Sequence, residues 1–385
     1  MKVGDFFKKY TMVLALVAVA IFFSITTQGK ILFPQNINNL ISQNGYVFVL
    51  ASGMLLCILT GGNIDLAVGS VVCFSGAIGV VMMEKGVNMW IAVLVMLLVG
   101  LAIGLFQGFW IAKVFVPPFI ATLAGMYAFR GLSNVVLNGF TVTISNQTFL
   151  KIFGGGADCY IPDFLSGKEL NMTCMIVGVI IAVLVLVLQF RKSAIEKKMG
   201  IIQSATGDYI RTAVIAVLIV WVAWKLASYK GIPTVLIWIS LVLLIYNYVT
   251  TKTAIGRYLY AVGGNEKATA LSGVNTRNVF WFAYANMGFL AGLAGILNVA
   301  RMTNAQPTFG QGYEMDAIAA CFIGGASAYG GTGKISGVII GAILMGLINQ
   351  GMSIMGIDSN YQRVVKGLVL MLAVMFDVLS KRQKK

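Results

Sequence analysis

Residues 86–112 read GVNMWIAVLVMLLVGLAIGLFQGFWIA, a run that contains no Asp, Glu, Lys or Arg. A helix of about 20 apolar residues crosses a hydrocarbon core about 30 Å thick, so this run is long enough to span a membrane. Further charge-free runs of comparable length occupy residues 10–29, 170–190, 231–251, 278–300 and 335–357. Because β-barrel strands show short alternating segments instead, the pattern predicts an all-α polytopic membrane protein.

The composition agrees, with 58 % hydrophobic and only 11 % charged residues, whereas soluble domains carry about 25 % charged residues. Hydrophobic segments are predicted at 11–27, 46–60, 66–83, 89–112, 118–136, 172–190, 212–228, 232–250, 279–300, 314–330, 335–356 and 362–379. Two pairs of these segments are separated only by the Gly-rich breaks 61–65 and 330–334, where helices become discontinuous or re-entrant. We therefore predict about ten transmembrane helices in a single domain spanning residues 1–385.

The basic residues predict the orientation. Of the 28 Lys and Arg, 18 fall on one side if the first segment is a retained helix with a cytoplasmic start. They are Lys2, Lys8, Lys9, Lys113, Lys334, the groups within 191–211 and 252–277, and the tail 381–385. Cytoplasmic loops are enriched in Lys and Arg, so both termini are expected in the cytoplasm. The same rule explains the net charge of +15 without nucleic acid as a partner.

Residues 138–170 are then an outer loop, and 251–277 form an inner loop. The glycine repeats Gly100, Gly104, Gly108 and Gly288, Gly292, Gly295 predict close helix packing, because small faces let helices approach in lipid.

Several kinds of chemistry are excluded or disfavoured. The chain has no histidine, which excludes His-ligated zinc and Ser-His-Asp catalysis. Its five cysteines lack CxxC spacing, and a disulfide between Cys159 and Cys174 on the outer side is possible but not expected. A Walker A reading of the sequence around Lys334 fails because Ala328 and Ile335 occupy positions that need Gly and Ser or Thr. We expect no catalytic residue, metal or cofactor on this chain.

Asp65 lies between two apolar segments. An ionisable residue at such a depth is a functional candidate, but Asp is also a favoured helix N-cap, and capping is the preferred interpretation. Asn63 and Ser70 are placed to hydrogen-bond Asp65 or cap a half-helix.

Other polar residues in or near the spans have two open interpretations. Asn286, Asn298 and Asn349, together with Asn63, are candidates either for a substrate pathway or for hydrogen bonds between helices. Arg130, Glu314 and Asp316 are interpreted either as interfacial residues, with a helix-dipole benefit for the two acids, or as an outer mouth that contacts an external partner.

The inner loop Thr253–Val274 reads as a short segment, a Gly263-Gly264 break and a second short helix. Asn265 is a good N-cap and Gly273 a plausible helix stop. Such a helix lies on the lipid surface or docks into a partner's groove, and the loop alone leaves both possibilities open.

Five motifs, in this order, resemble one known family. They are Gly61–Ser70, Pro118–Leu123, Gly256-Arg257 through Gly263-Gly264-Asn265-Glu266, Glu314–Ala320, and Gly324-Gly325 with Gly330-Gly331-Thr332-Gly333. The chain resembles the permease subunit of bacterial monosaccharide ABC importers, the group of ribose, xylose, arabinose and galactose permeases. The tail from Tyr361 through Asp377-Val378 is most similar to xylose and multiple-sugar permeases.

This resemblance implies an inner-membrane protein that works with a second permease copy, a cytoplasmic ATP-binding subunit that binds ATP and Mg, and an extracytoplasmic sugar-binding protein. It implies that the 251–277 loop couples to the ATPase through Gly256, Arg257, Gly263, Gly264, Asn265, Glu266, Ala268 and Gly273. The run Glu266–Ala270 departs from the family's acidic residue and paired alanines, which weakens the assignment of individual contacts.

Two other classes compete with a sugar importer. An ion-coupled secondary transporter would also contain broken helices, with Asp65 as its ion site. A membrane enzyme ranks last, because the sequence shows neither a metal-ligand cluster nor paired catalytic carboxylates on one span.

Overall fold

A computed structural model describes residues 3–165, 167, 170–199 and 205–382. Lys2 and residues 383–385 of the basic termini lie outside the described residues, as do 200–204 of one inner loop and 166, 168 and 169 of the outer loop. The described residues form sixteen α-helices, one 3-10 turn at Lys30–Leu32 and one antiparallel pair of two-residue strands.

The first half contains α1 (Val3–Thr26), α2 (Pro34–Gln43), α3 (Gly45–Leu59), α4 (Val68–Glu84), α5 (Met89–Ala112), α6 (Pro118–Leu137), β1 (Val142–Thr143), α7 (Gln147–Phe153) and α8 (Met172–Lys198). The second half contains α9 (Ala205–Ala227), α10 (Val235–Lys252), α11 (Ala254–Gly264), α12 (Glu266–Leu271), α13 (Thr276–Met302), β2 (Asn304–Ala305), α14 (Tyr313–Ile323), α15 (Ile335–Ile354) and α16 (Ser359–Arg382).

The predicted fold class is confirmed. Among the described residues, seven helices are long and apolar enough to cross a membrane: α5, α6, α8, α9, α10, α13 and α15. The pair α2 and α3, bent by 41°, adds an eighth if it counts as one span, while α4 and the apolar part of α1 are shorter. The predicted number of about ten is consistent with this set, and the chain is a multi-pass membrane protein.

One predicted segment differs from the structure, and one helix was not predicted. The segment predicted at 314–330 is helical only as α14, which ends at Ile323, because turns containing Gly324, Gly325 and Gly330 follow. Helix α2 was not predicted, because its sequence PQNINNLISQ is polar on one face and lacks the length of a span.

The core is built around α3 and α13. Fourteen of the fifteen residues of α3 are buried, and α3 contacts α10, α11, α13, α14 and α15. In contrast, α8 and α9 pack mainly on each other and expose rows of large apolar side chains. Exposed apolar faces of this extent are unusual for a soluble protein and are typical of a protein surrounded by lipid.

The two predicted glycine faces meet. A Cβ atom on Gly100 would fall on the carbonyl oxygen of Gly288, and one on Gly288 would fall on the carbonyl oxygen of Gly100. A Cβ atom on Gly104 would likewise fall on the Tyr284 carbonyl oxygen and against the backbone of Gly288. Helices α5 and α13 therefore cross at backbone contact distance, as small residues allow in membranes.

Replacing Gly100 by Ala tests this crossing. Because the added methyl group has no space between the two backbones, we expect the Gly100→Ala variant to lose about 1–3 kcal/mol of stability. Gly131→Ala on α6 is the matched control, since a Cβ atom there meets no atom within 4 Å. Thermal unfolding in detergent should show a lower midpoint for Gly100→Ala alone; equal midpoints for the two variants would contradict the close crossing.

Candidate functional site

A cavity of about 440 Å³ opens at one end of the bundle, where α3, α14 and α16 begin and α13 and α15 end. We call this the cavity end. Ligand pockets typically measure about 300–1,000 Å³, so a small molecule fits. Six neutral polar residues line it: Ser42, Gln43, Asn44, Asn298, Asn349 and Gln362. Arg301, Lys366, Tyr46 and Tyr313 also contribute to the wall.

Two tyrosines form one wall of the cavity. The rings of Tyr46 on α3 and Tyr313 on α14 are stacked, with centroids 3.7 Å apart and planes 16° from parallel. The Tyr313 hydroxyl donates to Asn298 Oδ1 at 2.7 Å, which holds the amide of α13 in place. The stack therefore joins three helices beside the cavity.

Asp316 lies beneath these rings and is fully buried. Its Oδ2 accepts hydrogen bonds from the Tyr46 hydroxyl at 2.6 Å and from Lys366 Nζ on α16 at 3.0 Å. A buried charge requires such compensation, so Asp316 ties α3 and α16 to α14. Asp316 is thus part of the packed interior, which does not suit direct contact with an external protein.

Two predicted pathway residues, Asn298 and Asn349, line this one cavity. Asn349 Nδ2 donates to Asn44 Oδ1 at 3.2 Å. Asn298 Nδ2 and Asn349 Oδ1 are buried and have no hydrogen-bond partner among the described residues. Both atoms are shielded from the cavity, so a ligand or water reaches them only when these side chains turn toward it; an unpaired buried amide group is costly, which favours that turn.

Arg130 and Glu314 lie beside the loop between α13 and α14. Arg130 Nη1 donates to the carbonyl oxygens of Pro307, at 3.2 Å, and Phe309. Glu314 Oε1 accepts from the Gly312 N–H at 3.2 Å, at the start of its own helix. Arg130 therefore fixes this loop against α6, and Glu314 satisfies a helix terminus.

At the opposite end of the bundle, which we call the loop end, the two Gly-rich breaks pack on each other. The Gly331 N–H donates to the Leu59 carbonyl at 3.1 Å, and a Cβ atom on Gly62 would fall on the Ala328 carbonyl oxygen. Gly331 has a φ of 69°, a left-handed conformation that glycine adopts without strain. The breaks after α3 and after α14 therefore form one junction.

The 253–274 loop packs directly on this junction. A Cβ atom on Gly263 would fall on the Leu59 carbonyl oxygen and on the Gly331 nitrogen. The Tyr260 hydroxyl also donates to the Gly333 carbonyl at 2.7 Å. Helix α11 thus contacts both breaks at once, and no residue larger than glycine fits at position 263 without displacing the backbone.

The predicted capping of this loop is confirmed in outline. Asn265 Oδ1 accepts from the Ala268 N–H at 2.9 Å and caps α12, and Gly273, with a φ of 85°, follows its end. The predicted Gly263-Gly264 break is wrong, because α11 continues through both glycines and the chain turns at Asn265. Gly256 and Arg257 lie in the first turn of α11, capped by Thr253.

Helix α12 presents nearly all its residues to the outside. Only Thr269 is buried, while Glu266 and Ala268 are exposed, and Leu271 is 90 % exposed. An apolar side chain so exposed on a short helix suits contact with a partner or with lipid headgroups.

The remaining polar candidates are separate from the cavity. Asp65 Oδ1 accepts from the Ala67 N–H at 2.8 Å and so orders the chain just before α4. Asn63 donates to Thr60 rather than to Asp65, and the buried Ser70 hydroxyl has no hydrogen-bond partner among the described residues. Asn286 accepts from the Tyr246 hydroxyl at 2.9 Å, which bridges α10 and α13.

The outer loop is held by its own polar contacts. Asp163 accepts hydrogen bonds from the hydroxyl and backbone N–H of Thr173 and from the Gly167 N–H, and these bonds, the Thr173 hydroxyl first, hold the pKa of Asp163 well below its usual range. Cys159 and Cys174 are both free thiols.

Several residues of the site were missed by the sequence prediction: Asn44, Tyr46, Arg301, Tyr313, Gln362 and Lys366. Lys366 had a usable signal, since it is one of two cations, with Arg363, in the segment predicted at 362–379. The tyrosines and Asn44 had none, because aromatic and amide residues are common at span ends.

Comparison with known proteins agrees with this architecture. Residues 36–374 match the family described as branched-chain amino acid transport system / permease component. The chain belongs to this permease family. The permease is 34 % identical over 376 residues to the xylose transport system permease protein XylH of Escherichia coli K12, covering 97 % of this chain and 92 % of XylH.

Two other relatives have a similar sequence identity to the permease. The permease is 33 % identical to XylH of Haemophilus influenzae over 375 residues, 97 % of each chain. It is 34 % identical to the ribose import permease protein RbsC of E. coli K12 over 371 residues, 96 % of this chain and 94 % of RbsC. No solved structure matches the permease significantly. As a permease component of a transport system, it is not an enzyme.

The ion pair at the cavity end gives a testable prediction. Lys366→Met leaves the buried Asp316 carboxylate without its cation, so we expect a loss of about 3–5 kcal/mol. Adding Asp316→Asn removes the unpaired charge and should restore much of that loss. Lys192→Met, which breaks the exposed Lys192–Glu196 pair, should cost at most about 1 kcal/mol. Thermal unfolding of the wild type, Lys366→Met, Asp316→Asn and the double variant measures the coupling; additive losses would contradict it.

Proposed function

We propose that the permease is the membrane subunit of an ATP-driven importer that moves a monosaccharide of the xylose or ribose class into the cytoplasm. The family description names branched-chain amino acid transport, but relatives that match at least 96 % of this chain are named for xylose and ribose. Those relatives favour a sugar as the substrate.

The observation that carries the proposal is the contact of α11 with both helix breaks. A force on the exposed α12 would pass through Asn265 into α11 and reach Leu59 and Gly331 directly. Leu59 ends α3, whose other end carries Tyr46 beside the cavity. Gly331 lies in the segment that joins the end of α14 at Ile323 to the start of α15, and the other ends of these two helices carry Tyr313 and Asn349 beside the cavity. Movement at the loop end can therefore change the shape of the cavity end through rigid helices.

The loop end faces the cytoplasm in this proposal, since it carries Lys113, Lys252, Arg257, Lys267, Arg277 and Lys334. Both termini would then be cytoplasmic and the membrane would be the bacterial inner membrane. The cavity end and the 138–170 loop would face the binding protein.

The partners follow from the arrangement of subunits that the family resemblance implies. Two permease copies would form the pathway within lipid, and ATP and Mg would be bound by the ATPase subunits rather than by this chain. The 251–277 loop would seat in the ATPase, with Glu266 and Ala268 on the contacting face.

We expect that a bulky residue on α12 blocks docking. Ala268→Trp should reduce copurification of the ATPase subunit at least about tenfold, because a large side chain at a fitted interface costs more than 1.4 kcal/mol. Ala194→Trp, on an exposed alanine of α8 at the same end, is the matched control. Normal ATPase recovery and sugar uptake with Ala268→Trp would contradict the docking assignment.

Gly263→Ala tests transmission separately from docking. It leaves the exposed face of α12 unchanged but forces apart α11 and the junction, so the ATPase should still copurify while ATP-driven uptake falls at least about tenfold. Gly131→Ala, in open space, should leave uptake at the wild-type level. Wild-type uptake by the Gly263→Ala protein would contradict the proposed path.

The whole proposal is tested by reconstituting the permease with its ATPase and candidate binding proteins. ATP hydrolysis that one sugar-loaded binding protein stimulates would support an importer. Transport by the permease alone, abolished by an uncoupler, would support an ion-coupled transporter instead.

A further inference from the structure

The cavity end contains groups that the fold itself leaves unused. We propose that the cavity between Asn298 and Asn349 is a binding site for one neutral monosaccharide within the permease, an inference that rests on the proposed import function. The chain would thus recognise the sugar itself rather than only conduct what the binding protein releases.

The unpaired amide atoms provide the main argument. Asn298 is 5 % exposed, its Oδ1 is already used by Tyr313, and its Nδ2 donor has no partner among the described residues. Asn349 is in the converse state, with its Nδ2 bonded to Asn44 and its Oδ1 acceptor free. A sugar hydroxyl both donates and accepts, so once the two side chains turn toward the cavity it can satisfy the free donor of Asn298 and the free acceptor of Asn349.

The chemistry of the wall distinguishes a sugar from an aliphatic amino acid. Among the described residues, the aliphatic side chains that line the cavity are Val235, Leu297 and Met302, beside six neutral polar side chains. A ring carrying hydroxyl groups on all sides finds amides on several sides, and the Tyr46–Tyr313 stack offers aromatic surface for its C–H groups.

The charges of the wall favour a neutral ligand. No Asp or Glu lines the cavity among the described residues, so the ammonium group of an amino acid has no carboxylate to pair with. Lys366 is already paired with Asp316. Arg301 is the other cation in the wall, and its guanidinium can donate to hydroxyl oxygens. Because it would also attract an anion, a sugar acid is the necessary comparison for a neutral sugar.

A cysteine at the rim reports occupancy directly. Met302 lines the cavity and is 43 % exposed, while the five native cysteines are all buried. In the purified full-length Met302→Cys protein, 50 mM D-xylose or D-ribose should slow labelling by a membrane-impermeant thiol reagent at least about threefold. The same concentration of L-valine or of the anion D-xylonate should slow it less.

Variants then assign the effect to the amides. Asn298→Leu in the Met302→Cys background should raise the half-protecting sugar concentration about fivefold or more, the factor expected for loss of one hydrogen bond. If this variant does not fold because Tyr313 loses its acceptor, Asn349→Leu serves in its place. Asn278→Leu, on an exposed asparagine at the far end of the same helix, should leave protection unchanged.

The outcomes separate this inference from the proposed function. Equal protection by all solutes, stronger protection by xylonate or valine, or unchanged protection in the folded Asn298→Leu and Asn349→Leu proteins would overturn the sugar site. If the reconstituted importer still transports sugar on ATP in that case, the proposed function stands. Sugar protection in a permease that shows no ATP-driven uptake with any partner would instead overturn the proposed function.

Discussion

The hydrogen bond from the Gly331 N–H to the Leu59 carbonyl resolves a constraint that the lipid environment imposes. Inside a bilayer, backbone that leaves the helical conformation must find partners within the protein. Two spans of the permease break, after α3 and after α14, and this bond pairs the last carbonyl of α3 with an N–H of the second break. The bond forms only if the end of α3 lies beside the segment that follows α14, and α3 and α14 pack against each other accordingly.

Glycine makes such contacts possible at several places. Backbone meets backbone at the junction of the two breaks, at Gly263 of α11 and along the crossing of α5 with α13. At each place a methyl group would separate the elements. The many glycines thus let backbones approach each other closely. This close approach allows a small helix such as α11 to contact two spans at one point.

The two ends of the bundle have different physical characters. At the loop end the contacts are between backbones and tolerate little change, which suits the transmission of force. At the cavity end the contacts are between side chains, through the Tyr46–Tyr313 stack and the Asp316–Lys366 pair. Side chains change rotamer without moving the backbone, so this end can adjust around a ligand while the helices stay in place.

The sequence by itself determined the fold class, most of the spans and the caps of α12, because apolar runs and the Asn265 and Gly273 signals act over a few neighbouring residues. The family motifs also identified the kind of protein. Only the tertiary structure decided which polar residues meet. Asn63 bonds locally to Thr60, whereas Asn298 meets Tyr313, Asn349 meets Asn44 and Asp316 meets Lys366. The last two pairs lie far apart along the chain, and a buried polar group takes its partner from whichever helix packs beside it, which no local pattern encodes.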